Sequence, residues 1–148
     1  EQVPFIPVIL RSEINLNNLM YMVCNYLWHG CTYIDQSDVK NVIDVPEESY
    51  FMINVEKGKD LIYKTPEEAK AIISHQGRSG LTAEEGPALC LHTKVLLEHS
   101  INCIGSSHKY ANKVPHIYLS DRRLPLLVWC YHYLLNNKWG CPSCHSRI

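Results

Sequence analysis

The stretch YFMINVEKGKDLIYKTPEEAKAIISHQGRSGLTAEE, Tyr50 to Glu85, decides the fold class, because it sets a strand and two helix starts side by side. Tyr50-Phe51-Met52-Ile53-Asn54-Val55 has the aromatic and β-branched content of a strand. Glu56-Lys57-Gly58-Lys59 supplies a turn glycine before Leu61-Ile62-Tyr63, which predicts a hairpin. Thr65-Pro66-Glu67-Glu68 places a capping hydroxyl, a proline at the first helical position and two acids against the positive helix end. A helix from Pro66 to His75 is therefore expected, stopped by Gly77. Thr82-Ala83-Glu84-Glu85 repeats the pattern as a capping box and opens the longest helix, about Thr82 to His99, bent by Gly86-Pro87.

Upstream, Val3 to Leu10 is β-rich but carries Pro4 and Pro7, which remove ladder donors, so it is expected at a sheet edge or as an extended arm. Leu16 to Trp28 has no clean period and reads as either a weak helix or a strand. Downstream, β-like pieces at Ile101–Ile104, His116–Leu119 and Leu126–Leu134 alternate with turn residues, so the C-terminal third is β-rich. No repeat, low-complexity tract or linker divides the chain. The expectation is a single α+β domain over residues 1–148, a mixed or mainly antiparallel sheet with two main covering helices. The 148 residues suffice to bury roughly 70% of the unfolded surface.

Composition is that of a globular chain, 46% hydrophobic and 20% charged, and no apolar run approaches the ~20 residues of a membrane helix. No basic segment followed by an apolar one opens at Glu1, so no export signal is read. Seven cysteines without framework spacing fit free or metal-bound thiols in a reducing compartment, and the expected location is the cytoplasm. Net charge is −1, but residues 108–148 carry 6 Lys/Arg against the single Asp121. That asymmetry admits an anionic or nucleic-acid partner, while folding of the acidic and basic parts onto one another would cancel it.

Several segments in order resemble an uncharacterised bacterial family of unknown function. They are Asn54-Val55-Glu56-Lys57-Gly58, Thr65-Pro66-Glu67-Glu68-Ala69, Gly77 to Gly86, Asn102-Cys103, Asp121-Arg122-Arg123-Leu124-Pro125 and the Trp/Gly/Cys-rich end. The resemblance covers most of residues 1–148 and implies one small α+β domain. Pro87 and the histidine-rich stretch from His108 to His145 depart from the family pattern. No activity comes with it, so no catalytic residue is carried over.

The sharpest chemical motif is Cys141-Pro142-Ser143-Cys144-His145, whose Cys-x-x-Cys turn suits half of a zinc site. Pairing of Leu126–Leu134 with Lys138–Cys141 about Asn136-Asn137 would set His132 opposite Cys141 and Cys130 on the same face. That register makes Cys130, His132, Cys141 and Cys144 a Cys₃His zinc candidate, and a one-residue slip dissolves it. The competing reading is ordinary free cysteines. A redox pair is disfavoured because the motif opens no helix, and a covalent haem site because no export signal is read.

His92 and His99 fall on the apolar face of the long helix and read as core histidines or pocket-facing acid/base groups. Cys103 with His116, or with His92, holds the residue types of a nucleophile and base. Arg122 and Arg123 before Leu124-Pro125 offer planar forks to a phosphate or carboxylate, against the reading of a solvated turn. Leu127, Trp129, Tyr131 and Tyr133 form an aromatic stripe that suits either a core face or base stacking. The leading expectation is a non-enzymatic cytoplasmic binding or regulatory module with a protein partner, no membrane and an optional structural zinc. The alternatives are a Cys/His-dependent hydrolase or transferase and a nucleic-acid-binding domain.

Overall fold

The computed structural model describes residues 2–148. Its helices are α1 Leu16–Met22, α2 Pro66–His75, α3 Glu85–His92 and α4 Val95–Glu98. The strands are β1 Gln2–Val8, β2 Cys24–Asn25, β3 Trp28–His29, β4 Cys31–Thr32, β5 Val39–Asn41, β6 Tyr50–Glu56, β7 Ser79–Gly80, β8 Ser100–Asn102, β9 Ser106–His108, β10 Lys113–Leu119, β11 Pro125–Tyr131, β12 Trp139–Gly140, β13 Ser143–Cys144 and β14 Ser146–Arg147. The fold is α+β and β-rich, as its sequence pattern implies. Among the described residues, no helix is long and apolar enough to cross a membrane.

Two five-stranded sheets organise the chain. In the first, the order is β1-β6-β13-β7, with β14 also on β6. β1 lies at its edge, antiparallel to β6 with Ile6 opposite Met52, which lets Pro4 and Pro7 forgo ladder donors. In the second, the order is β12-β8-β10-β11-β4, with an antiparallel β10–β11 hairpin and parallel pairs at both margins. The larger apolar core includes Ile6, Met52, Leu89, Ile117 and Leu127, and a smaller one joins Ala69 and Ile73 of α2 to Ile104, Val114, Cys130 and Cys141.

Helix α2 starts and stops where its residues dictate. Thr65 N–H donates to Glu68 Oε2 at 2.8 Å, and Glu68 N–H donates to Thr65 Oγ1 at 3.2 Å. Gly77 (φ 68°) turns the chain out of the helix. Thr82 and Glu85 make the second box, at 2.8 and 3.4 Å. Pro87 sits in the first turn of α3, where its missing N–H costs nothing.

Three sequence expectations are corrected, and one open reading is resolved. The long helix breaks at Thr93, whose hydroxyl donates to Leu89 C=O at 2.7 Å and accepts from Val95 N–H at 3.3 Å, ending α3 and starting α4. Gly58 (φ 86°) leads into a 3-10 turn, Lys59–Leu61, instead of a second hairpin strand. Leu16–Trp28 divides into α1 and the two-residue strands β2 and β3. Finally, β11 pairs with β10, and residues 139–140 pair with β8, so the hairpin between Leu126–Leu134 and Lys138–Cys141 does not form.

Candidate functional site

The β10–β11 register sorts the C-terminal third into two faces. Val114, His116 and Tyr118 stand opposite Cys130, Val128 and Leu126 on one face. Ile117 and Leu127, a register pair on the other face, enter the larger core. Helix α2 covers the first face only at its Val114–Cys130 end. Beyond that cover lies an open cleft of about 400 Å³ whose walls include His116, Tyr118, Val128 and Trp139.

His116 is 4% exposed. Its Nδ1–H donates at 2.7 Å to Oδ1 of Asn102, its register partner on β8. That bond fixes the tautomer and leaves Nε2 as a lone-pair acceptor. Trp139 and Tyr118 flank the imidazole at centroid distances of 4.6 and 5.6 Å. Burial pushes the His116 pKa down to about 4, so the ring is neutral at pH 7. Asn102 is fully buried and directs Nδ2–H toward Cys141 Sγ, 3.9 Å away. Burial pushes the Cys141 thiol up to about 12 and that of Cys130 up to about 11. Among the described residues, no Asp, Glu, Lys or Arg lines the cleft. The walls are aromatic and uncharged, with the His116 imidazole and the Tyr118 and Tyr131 side chains among them, and a base near pKa 4 is weak for catalysis at pH 7.

A family model described as a family of unknown function, DUF5701, matches residues 1–148. The chain belongs to DUF5701. The resemblance of those segments to a family of unknown function thus holds over residues 1–148, while the family's description states neither a bacterial origin nor an activity. No curated protein and no solved structure matches this DUF5701 chain.

The DUF5701 fold separates the residues proposed for zinc. Cys130 and Cys141 meet in the smaller core, but Cys144 lies in the larger one. His132 faces Glu67, with Nδ1 4.0 Å from Oε2. The Cys-Pro-Ser-Cys segment does not curl into a knuckle; its second half runs as β13 in the first sheet. Among the described residues, no group of three or more His, Cys, Asp or Glu converges to hold a metal.

Cys103 and His116 do not meet either. His116 shares a face with Asn102, so by alternation Cys103 projects from the opposite one. Its sulfur is buried against Gly86, where a Cβ would run into it, and burial raises its pKa well above that of a free thiol. His92 is exposed near the end of α3, with Nδ1–H donating to Ala88 C=O at 2.8 Å. His99 is a core histidine as expected, 5% exposed and bonded through Nδ1 to Ser100 C=O at 2.9 Å.

Arg122 and Arg123 occupy the exposed β10–β11 turn. Arg123 (φ 64°) donates its N–H to Ser120 C=O at 2.8 Å and accepts from Asn25 Nδ2 at 2.9 Å through its own carbonyl. The aromatic stripe splits: Leu127 is core, Trp129 packs on it, and Tyr131 and Tyr133 stack in solvent at 5.3 Å. Those tyrosines lie at the other end of β11, roughly 20 Å of strand from the arginine turn, so the two do not line one groove. Basic groups gather elsewhere, in a second cavity of about 500 Å³ whose lining includes Lys70, Lys109, Lys113, His108 and His132.

The sequence reading missed Asn102, Tyr118 and Trp139. Alternation within Val114-Pro115-His116-Ile117-Tyr118 was the available signal. Asn102 and Trp139 arrive through the β8 pairings, which nothing local announces.

Proposed function

We propose that this chain is a non-enzymatic binding module whose ligand presents a flat ring to the cleft over His116. The observation that carries this reading is the uncharged aromatic surface left beside α2, with the neutral His116 imidazole among its lining residues. A ring that stacks on Trp139 and donates one N–H or O–H toward His116 Nε2 satisfies both features. The seven free thiols suit a reducing compartment, and we place the protein in the cytoplasm.

Titration with indole and with adenosine, followed by Trp fluorescence and amide chemical shifts, tests the reading. Saturable shifts centred on His116, Tyr118 and Trp139, weakened about tenfold or more by Trp139→Ala, are expected. Shifts scattered over the surface, or none at millimolar probe, would overturn it.

A second reading, nucleic-acid binding, is favoured by Lys113 Nζ lying 5.0 Å over the exposed Tyr131 ring beside the basic cavity. Retention on single-stranded DNA that falls steeply with salt would support it. No retention at low salt would remove it.

A further inference from the structure

The tip of the β2–β3 hairpin gathers apolar side chains that the fold leaves in water. Tyr26, Leu27 and Trp28 follow one another in sequence and are 86, 92 and 56% exposed. Tyr26 also stands at φ 55°, a conformation that glycine or asparagine adopts at less cost. Neither packing nor turn chemistry therefore accounts for three large apolar residues here.

The tip is firmly mounted. Cys24 and Asn25 pair with His29 and Trp28, and Gly30 N–H donates to Val23 C=O at 2.8 Å. Asn25 is buried, and its Nδ2–H donates at 2.9 Å to the Arg123 carbonyl. That bond docks the hairpin on the β10–β11 turn, where Arg122 and Arg123 are exposed beside Asp121. Tyr21, 58% exposed, extends the apolar surface by stacking on His29 with ring centroids 4.0 Å apart. Exposed Lys94 and Leu97 share with Tyr26 the lining of a hollow of about 250 Å³. Glu98, next to Leu97, is already paired with Lys57 at 2.7 Å.

A single exposed leucine is ordinary, but this surface joins an aromatic and aliphatic tip to three cations against one unpaired acid. Tyr and Trp favour the boundary between water and hydrocarbon, where the ring is desolvated and its O–H or N–H stays wet. Arginine meets phosphate oxygens with a planar fork. Cations beside an apolar tip match anionic headgroups above hydrocarbon, a pairing that an apolar groove on a protein lacks.

We propose that the Tyr26-Leu27-Trp28 tip docks the chain on an anionic lipid surface, inserting at the headgroup boundary while Arg122 and Arg123 meet the lipid phosphates. The contact is with the surface and calls for no spanning helix, so it departs from the expectation of no membrane partner. The cytoplasmic leaflet supplies lipid of this charge. The hollow beside the tip shares no lining residue with the His116 cleft, so the two sites are tested apart.

The test is sedimentation of the whole chain with vesicles of phosphatidylcholine alone and of phosphatidylcholine mixed with phosphatidylserine. Saturable binding to the mixed vesicles is expected, at least about tenfold tighter than to the neutral ones and weakened by salt. Leu27→Ser, at a position the core does not use, weakens it about tenfold or more. Arg122→Gln together with Arg123→Gln weakens it roughly 10- to 30-fold. Brominated lipid quenches the tryptophan emission of the wild type, and Trp28→Phe, which keeps an apolar ring, loses most of that quenching. No binding at millimolar phosphatidylserine, equal affinity for the two vesicles, or unchanged binding by Leu27→Ser would overturn the proposal. So would a dimer that Leu27→Ser abolishes, because the tip would then belong to a second copy of the chain.

Discussion

The two capping boxes, Thr65/Glu68 and Thr82/Glu85, have the same sequence pattern and nearly the same hydrogen bonds, yet stand in opposite surroundings. Glu68 faces solvent at the start of α2 and serves that helix alone. Glu85 is fully buried. Its carboxylate also receives Arg147 Nε at 2.6 Å, Arg147 Nη2 at 2.8 Å and the Tyr50 hydroxyl at 2.5 Å. Arg147 in turn donates to the Ser79 hydroxyl and to Gly80 C=O. One cap starts a helix; the other ties α3, β6, β7 and the C-terminal strand to one charge. Burial pushes the Tyr50 hydroxyl pKa up, and the neighbouring Glu85 carboxylate adds to the shift. A local motif is thus raised to a tertiary joint when its carboxylate is desolvated and paired.

The largest expected effect breaks that joint. Glu85→Ala leaves the Arg147 guanidinium uncompensated and is expected to cost about 3–5 kcal/mol in urea unfolding. A loss no larger than that of Thr65→Ala would make the two boxes equivalent and remove the distinction drawn here.

Acid titration extends the comparison to His116, a buried polar group that resists charge. Its pKa lies near 4 in the fold against 6.5 unperturbed, so the folded state binds its proton less readily than the unfolded chain. Stability from this group is therefore complete above about pH 6.5 and is lost as pH falls from there toward 4, by up to about 3 kcal/mol. Wild type and His116→Gln, compared by thermal melts across that range, are expected to converge as pH falls.

Next comes packing around the buried box. Gly86→Ala drives a Cβ into the Cys103 sulfur and is expected to cost about 1–3 kcal/mol, with part of that recovered in the Gly86→Ala, Cys103→Ala double variant. Additive losses would mean that the crowding is not between these two residues. The smallest effect belongs to the exposed box, where Thr65→Ala is expected to cost about 1 kcal/mol, seen as a small loss in urea midpoint.

The candidate sites were less legible than the helices. His116 was singled out from its residue type alone, without its partner Asn102 or its neighbour Trp139. Cys130 and Cys141 share the smaller core, but not through the expected hairpin; they come together because β8, β10 and α2 converge.

By itself the sequence determined the features governed by neighbours a few residues apart. These are both capping boxes, the stop of α2 at Gly77, the edge position of the proline-bearing β1 and the strand at Tyr50. Each is decided by hydrogen bonds or backbone sterics that close within one turn or along one strand. Only the tertiary structure decided which strands pair, that Glu85 is buried while Glu68 is not, and that Cys103 and His116 leave opposite faces. Pairing across dozens of residues depends on shared burial of whole faces, and a side-chain period of two lets one change of partner or register redirect every residue on the strand.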